Sequence, residues 1–483
     1  MGHLMRSLAL AEEAAGRGWE VRLAGDLDEV ARARVRTWLP DAALEHVGVQ
    51  DVPAWLGTLH ARTGVDVLHV DSYRPEADVL PRGPRLVSNM QDGPFGARRA
   101  DLAIDANLGG EQRLTAVDAR TVLAGVTVVP IRQQVLRQRA LRQEQGTPAR
   151  TGPPRVLVVL GGTDPFGATT TVVAGLDAVP ADLELTVVTP PGQREAIEEL
   201  AATSVHRIDP VAFLDDLPGA AARHDLVISA AGTSVWELAC LGVPMALLCV
   251  ADNQREGYDA VVEAGLAIGL GRPAHSDLHE RLAALGETLR HPAGLAQMQD
   301  RGRGIVDGLG AWRIVSAWEQ LLDVPQAGPE RSGLVGRPAT LDDARALFDW
   351  RNDPVARVAS RSREEVAWDD HIAWLRRTLA TPARRLLVIE SEGSPVGVVR
   401  WDSRGDHDWE VSITVAPVVR GHGLALPLLR AGEEELGVAG PVRLVATVHR
   451  DNVASRRLFQ RAGYLPLMPS DADGFATYAR LRV

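Results

Sequence analysis

Three short stretches of this chain put polar side chains where a phosphate or a sugar can be held. The densest is SAAGTSVWELACLGVPMALLCVADNQ (229–254). An apolar strand ends at Ser229 and a helix starts within the turn Gly232-Thr233-Ser234, so hydroxyls and free backbone amides meet at a positive helix end, an arrangement suited to a diphosphate. Glu237 lies three residues into that helix, on a side that reaches ribose hydroxyls. The next strand delivers Asp252, Asn253 and Gln254 to the same edge. Without a ligand, Thr233 or Ser234 reads as a helix cap and Glu237 as its capping-box partner. The second stretch, GGTDPFG (161–167), also follows an apolar strand; Gly162, Thr163 and Asp164 would let backbone amides approach an anion, and a plain tight turn is the competing reading. The third is the opening GHLMRSLALA, where His3 begins an amphipathic helix. Histidine can take a proton from water near neutral pH, and the alternative is a terminal side chain with no role.

The elements that must position these residues come in series. VDVLHVD (65–71), RLVSNMQD (85–92) and ADLAIDAN (100–107) read as short buried strands, with helical stretches such as 4–17 between them. A polar linker, RQEQGTPARTGPP (142–154), interrupts the pattern, which RVLVVLGG (155–162), LELTVVTP (183–190), HDLVISAAG (224–232) and PMALLCV (244–250) resume. Two such series predict two doubly wound α/β domains, 1–145 and 153–322, facing each other across a cleft with the ligand at the carboxyl ends of the strands. A second break, DVPQAGPERSG (323–333), precedes a different pattern. LLVIESEG (386–393), PVGVVRWDS (395–403) and DWEVSITVAP (408–417) predict an antiparallel meander, followed by a Gly-rich turn, a helix, the strand VRLVATV (442–448) and another helix. This is a separate α+β domain, 335–483. In it Arg420, Gly421, Gly423 and Ala425 follow a strand and open a helix, which offers a row of amides to a pyrophosphate or is a generic glycine turn.

Composition narrows the class. With 483 residues and 45% apolar content the chain can fill several cores. A formal charge of −11 argues against a general nucleic-acid binder. No apolar run is long enough to span a membrane, no signal-peptide pattern is visible, and Cys240 and Cys249 suit buried reduced thiols rather than a metal site. The expectation is a cytoplasmic protein without metal, nucleic-acid or membrane partners.

The run GTSVWELACLGVP…ADNQ resembles the nucleotide-sugar site of GT-B proteins, the group that includes the bacterial enzyme converting lipid I to lipid II. Within that group the chain resembles the UDP-2,4-diacetamido-2,4,6-trideoxy-β-L-altropyranose hydrolases of pseudaminic acid biosynthesis over about residues 1–322. GHLMRSLALA, Asp71-Ser72-Tyr73 and GGTDP complete the motif set. The resemblance implies His3 as general base for water, Tyr73 as its hydrogen-bonding neighbour and Asp71 as its orienter. It also implies that UDP is held by Gly162, Thr163, Asp164, Gly232, Thr233, Ser234, Glu237, Asn253 and Gln254. Members of that family carry a strand and a Gly-rich turn just before GH-x-MR, so the expectation is a start downstream of the natural one and a less stable form than a longer chain. Where the family tends to have a paired acidic motif, MQDGPFGARRAD (90–101) has the single Asp92, a point at which sugar selection can differ. His69, inside a strand, reads as structural.

Residues 335–483 resemble GNAT N-acetyltransferases through RGHGLA, HRDNVASRRLFQRAGYLPL (449–467), WRNDPVARVAS (350–360) and HIAWL (371–375). That resemblance implies acetyl-CoA as cosubstrate. Val415 would end the strand that pairs with pantetheine, Arg420, Gly421, Gly423 and Ala425 would hold the pyrophosphate, and Asn452 would face the cofactor. Phe459 stands where many such enzymes have a tyrosine acid, and Glu410 or His371 is the weak candidate for a base. The combined reading is a bifunctional enzyme that N-acetylates a UDP-4-amino-sugar and then hydrolyses the diacetamido sugar from UDP. A GT-B glycosyltransferase and a non-catalytic nucleotide-sugar-binding protein are the rivals.

Overall fold

The computed structural model describes residues 2–58, 64–74, 83–113, 119–145, 152–161, 164, 167–324, 333–358, 362–405 and 407–482. Two parallel sheets build the first domain. β1 (Arg22–Gly25) pairs with β2 (Ala43–His46), and β3 (Val67–Asp71), β4 (Leu86–Gln91), β5 (Ala100–Asp105) and β6 (Ala119–Ala124) pair in chain order. The helix Gly2–Gly16 joins the two sheets because it is apolar on two sides. Leu8 and Ala11 pack with Val35 and Leu39 over β1 and β2, while Leu10 and Ala14 enter the core containing Met90, Leu102 and Ile104.

The second domain is one parallel sheet of β7 (Arg155–Val159), β8 (Glu184–Val188), β9 (Arg207–Val211), β10 (Leu226–Ala230), β11 (Met245–Leu248) and β12 (Ile268–Gly271), in the order β12-β11-β10-β7-β8-β9. Its central strands are continuous apolar runs because helices cover both faces; Leu226, Val227 and Ile228 are fully buried. The chain winds outward from β7 to β9, returns beside β7 as β10, and winds the other way. The crevice at the strand ends where these directions part is the place a doubly wound sheet offers to ligands.

By packing rather than chain order, the two α/β domains exchange helices. Gln133–Gln145 lies against the helices Leu217–Ala222 and Ser234–Leu241 of the second domain. Gly310–Asp323 returns to pack on Gly2–Gly16 of the first.

The third domain is a sheet of β13 (Leu334–Pro338), β14 (Arg384–Ser391), β15 (Ser394–Ser403), β16 (Asp408–Val415), β17 (Val442–His449), β18 (Leu465–Met468) and β19 (Phe475–Arg482), ordered β13-β14-β15-β16-β17-β19-β18. Its neighbours are antiparallel except β16 and β17. The helix Ala425–Glu434 sits close on one face because Gly432 leaves no side chain there: a Cβ would lie 2.8 Å from Val399. The domain docks on the other two through β18. Leu465 joins the core around Leu102 and Val128, Gln320 Nε2 donates to the Tyr464 carbonyl at 2.8 Å, and Arg313 Nε donates to the Leu467 carbonyl at 2.7 Å. Among the described residues no helix is long and apolar enough to cross a membrane, and no cluster of three or more His, Cys, Asp or Glu is arranged around a metal position.

Candidate active site

β7 and β10 are neighbours at the switch point of the second sheet, so Gly161, Asp164 and Gly167 of the one stretch and Gly232, Thr233 and Ser234 of the other follow adjacent strands. Their helix ends differ. Asp164, buried and at φ 33°, accepts from the amides of Ala168 at 3.1 Å and Thr169 at 2.7 Å and from Gln193 Nε2 at 3.0 Å. Burial works against its charge, but the bonds to Thr169 and Gln193 outweigh that and hold its carboxyl below the ordinary range. The anion at this helix end is thus Asp164 itself; Gly162 and Thr163 lie outside the described residues. At the other end, Thr233 is the N-cap of Ser234–Leu241 yet makes no side-chain capping bond. Gly232 and Thr233 are exposed and no side chain caps this helix; the amides of Val235 and Trp236 bond back to the Gly232 and Thr233 carbonyls, each at 3.2 Å. Glu237 is not a capping-box partner: both its oxygens accept from Arg132, at 2.7 and 2.8 Å. Gln254 folds back to accept from the Val250 amide at 3.1 Å, and Asn253 is exposed in the short helical turn Asp252–Gln254 after β11.

The first domain faces this end with its own strand termini. His3 Nδ1 is 2.6 Å from Asp71 Oδ1 at the end of β3. Because the carboxylate only accepts, Nδ1 carries a proton in this contact. Arg6 grips Asp71 through Nε and Nη2, both at 2.6 Å, and reaches Asp92 through Nη1 at 2.9 Å to each oxygen. Burial alone would raise the Asp71 carboxyl, but the bonds from His3 and Arg6 win and bring it down to about 2. Tyr73 stands edge-on to His3, ring centres 4.4 Å apart, and donates its hydroxyl to Asp92, which also accepts from Asn107 Nδ2 at 2.7 Å. Burial, reinforced by Asp92, pushes the Tyr73 phenol upward. The two domains touch here: a Cβ on Gly2 would lie 3.1 Å from Thr233 Oγ1, so His3 starts its helix against the open helix end of the second domain. Sequence reasoning named His3, Asp71, Tyr73 and Thr233; it missed Arg6 and Asn107, although the arginine of GHLMR was in view one helical turn from His3.

His69 is structural. It is buried against Trp318, its Nδ1 is 3.0 Å from Ser88 Oγ, and burial lowers it to about 4. A buried base with a depressed folded value leaves the unfolded chain to bind the proton first. Stability is therefore whole above the ordinary value of 6.5 and falls as pH drops from there to about 4. We expect a loss on the order of 3 kcal/mol across that window, read from urea midpoints, and a flatter dependence in His69→Gln.

In the third domain β16 and β17 pair only at Asp408–Glu410 with Arg443–Val445 and then part, so the second half of β16, ending at Val415, borders a slot. Below it Gly421 and Gly423 take φ of 82° and 77°, open to solvent, and lead into the helix that begins at Ala425. Arg420 donates to the Val415 carbonyl at 3.2 Å and pairs with Asp353. Asn452 caps the helix Val453–Arg461 by accepting from the Ser455 amide at 3.0 Å. Phe459 is buried against Tyr464, whose hydroxyl donates to Glu433 at 3.0 Å. His371 is buried with Nε2 on the Ala344 carbonyl at 3.1 Å, and Glu410 is held by Arg404 and Thr447, so each has a structural duty.

Two α/β domains with facing strand ends, the second doubly wound and the first a pair of parallel sheets in chain order, form the GT-B architecture, and the split β16–β17 pair with a glycine turn is that of an acetyltransferase domain. Comparison with known proteins agrees: residues 156–301 match the Glycosyltransferase family 28 C-terminal domain and residues 334–465 the Acetyltransferase (GNAT) domain. The chain thus carries a region matching the Glycosyltransferase family 28 C-terminal domain, followed by a region matching the Acetyltransferase (GNAT) domain. A similar protein is the UDP-N-acetylglucosamine--N-acetylmuramyl-(pentapeptide) pyrophosphoryl-undecaprenol N-acetylglucosamine transferase of Bordetella parapertussis, 29% identical over 268 residues, covering 50% of this chain and 72% of that one. Another is the spore coat polysaccharide biosynthesis protein SpsG of Bacillus subtilis, 25% identical over 175 residues, covering 35% of this chain and 50% of that one. The solved MurG of Acinetobacter baumannii aligns with a TM-score of 0.47 at 16% identity, covering 66% of this chain and 96% of that one.

Proposed function

We propose that the GT-B pair hydrolyses UDP-2,4-diacetamido-2,4,6-trideoxy-β-L-altropyranose to the free sugar and UDP, and that the GNAT domain N-acetylates the UDP-4-amino-sugar precursor with acetyl-CoA. The observation that carries the first half is the His3–Asp71 pair at 2.6 Å, set against the uncapped helix end at Thr233. The diphosphate of UDP is held at Gly232, Thr233 and Ser234, with Glu237, Asn253 and Gln254 toward the nucleoside and the loop of Gly162, Thr163 and Asp164 beside it. His3 Nε2 takes a proton from water as the water oxygen bonds to the anomeric carbon. The bond from that carbon to the diphosphate oxygen breaks, its electrons staying on UDP, and the configuration inverts. Asp71 stabilises the imidazolium that forms, and the helix end stabilises the departing charge. In the GNAT domain the slot beside Val415 takes the pantetheine arm, the turn of Arg420, Gly421, Gly423 and Ala425 takes the pyrophosphate, and Asn452 faces the cofactor. With Phe459 in the tyrosine position, the thiolate is protonated by water or another group. Both activities belong in the cytoplasm, where nucleotide sugars and acetyl-CoA are found.

A second reading, a glycosyltransferase, is favoured by the name of the Bordetella relative. The discriminating experiment is UDP release from the diacetamido UDP-sugar with no acceptor added. Release supports hydrolysis; release only on adding an acceptor hydroxyl replaces it with transfer. For the other half, free thiol should appear from acetyl-CoA only when the UDP-4-amino-sugar is present, and its absence sinks the acetyltransferase assignment.

Ser234→Asp separates ligand binding from folding. A carboxylate at the first turn favours the helix dipole but repels a diphosphate. Calorimetry should show UDP affinity reduced tenfold or more, about 1.4 kcal/mol or beyond, with the melting temperature unchanged or higher. Undiminished affinity would move the diphosphate elsewhere.

A further inference from the structure

We propose that Arg6 is the positioning residue of the His3–Asp71 pair: it fixes the ring proton on Nδ1 and offsets the carboxylate charge, so that Nε2 remains a free lone pair. The catalytic meaning of this rests on the hydrolase reading; the geometry does not.

An aspartate with a side chain only 3% exposed, 2.6 Å from an imidazole, does two things. It holds Nδ1–H, which a base needs. It also favours the doubly protonated ring, which a base cannot tolerate. Arg6 separates these effects. Its Nε and Nη2 donate to the two Asp71 oxygens at 2.6 Å each, so the carboxylate is fixed in plane and cannot rotate from the ring. Its Nη2 is also 3.2 Å from His3 Nδ1, against 2.6 Å for Asp71 Oδ1, which places part of the delocalised guanidinium charge close to the ring, a little farther than the negative one. At a common effective dielectric, charges at such similar distances act on the imidazolium with similar size and opposite sign.

The other groups facing His3 leave Arg6 as the balancing charge. From its own helix there is Arg6; from β3, Asp71; beyond β3, the uncharged Tyr73 ring; from the second domain, the neutral Thr233 beside Gly2. Asp92 lies behind Arg6, both oxygens on Nη1, and is shared with Tyr73 and Asn107. Among these described residues, removing Arg6 would leave two carboxylates at this corner with no cation bonded to either.

The test follows the His3 ring by nitrogen NMR in histidine-labelled protein, the signal assigned by its loss in His3→Gln, alongside the pH dependence of UDP release. Arg6→Gln should move the His3 titration to higher pH, and the ratio of release rates at pH 6 and pH 8 should fall about threefold or more. Asp71→Asn should move it to lower pH. The double variant should return close to the parent, as opposed charges require. Arg6→Lys keeps the charge but loses the fork, so its midpoint should stay near the parent while the maximal rate falls. A folded Arg6→Gln protein that still binds UDP and shows an unmoved His3 titration overturns the proposal, as does an Arg6→Lys midpoint displaced like that of Arg6→Gln. If the parent releases no UDP, the hydrolase reading fails by itself, and the NMR titrations still decide the role of Arg6.

Discussion

In His3→Ala, UDP release from the diacetamido UDP-sugar should fall by about 10²–10⁴-fold, while UDP binding stays within about twofold of the parent. The split is expected because the two functions sit on different domains. His3 is held by Asp71 at the end of β3, whereas UDP is assigned to the helix end at Thr233. Removing the imidazole leaves the helix amides and the Asp71–Arg6 pair in place, so the leaving group is still stabilised and only delivery of water suffers. The acid limb of the pH profile should vanish with the base, which loss of folded protein would not reproduce. Equal release by parent and variant would remove His3 from the chemistry. Tight UDP binding with no release by either, even with acceptors present, would leave a nucleotide-sugar-binding protein.

Arg313→Met should give the largest loss of stability of any single change at the docking surface, about 3 kcal/mol. The Arg313 guanidinium is almost fully buried where all three domains meet. It donates to the Thr127 carbonyl of the first domain, to the Leu467 carbonyl of β18 at 2.7 Å, and to Asp307 Oδ1 at 2.8 Å. Burial would raise the Asp307 carboxyl, but the bonds from Arg313 and the Leu309 amide prevail and hold it low. Methionine fills much of the volume, so the cost comes from two carbonyls that lose this donor and a carboxylate left with the Leu309 amide alone. Asp307 is one-third exposed and regains water, which places the expected cost at the lower end of the range for a broken buried pair. Thermal unfolding and hydrogen exchange at β18 would read it: exchange there should quicken while that of the Ser234–Leu241 helix is unchanged. A melting temperature equal to the parent, with β18 exchange unaltered, would show that apolar contacts such as Leu465 suffice for docking.

What sequence could supply is clearest where a residue's role is local. β7, β10 and β11 were legible because strands buried on both faces must be continuous apolar runs, and the glycine turns after them because close backbone approach needs glycine. The antiparallel meander of the third domain was equally open, since β14 to β16 are joined by short connections. β1 and β2 escaped notice: RLAG and ALEH are four residues each, neither has a fully buried residue, and Leu23 and Leu44 gain their cover from the helix Gly2–Gly16 rather than from their own composition. Asp164 shows the opposite failure. GGTDP reads as an anion loop, yet its carboxylate turns back onto its own helix, a choice among rotamers that no spacing encodes.

The sequence by itself determined the three domains, the two families of turn and the presence of His3, Asp71 and Tyr73, because apolar periodicity and glycine placement act over a few residues. Only the tertiary structure decided which of these meet. It put Arg6 between Asp71 and Asp92, gave Glu237 to Arg132, brought Gly2 against Thr233, and sent the helix Gly310–Asp323 back to carry the third domain on the first. Charge pairing and docking join residues tens to hundreds of positions apart. Their partners are set by how the cores pack, and short-range pattern carries no record of that.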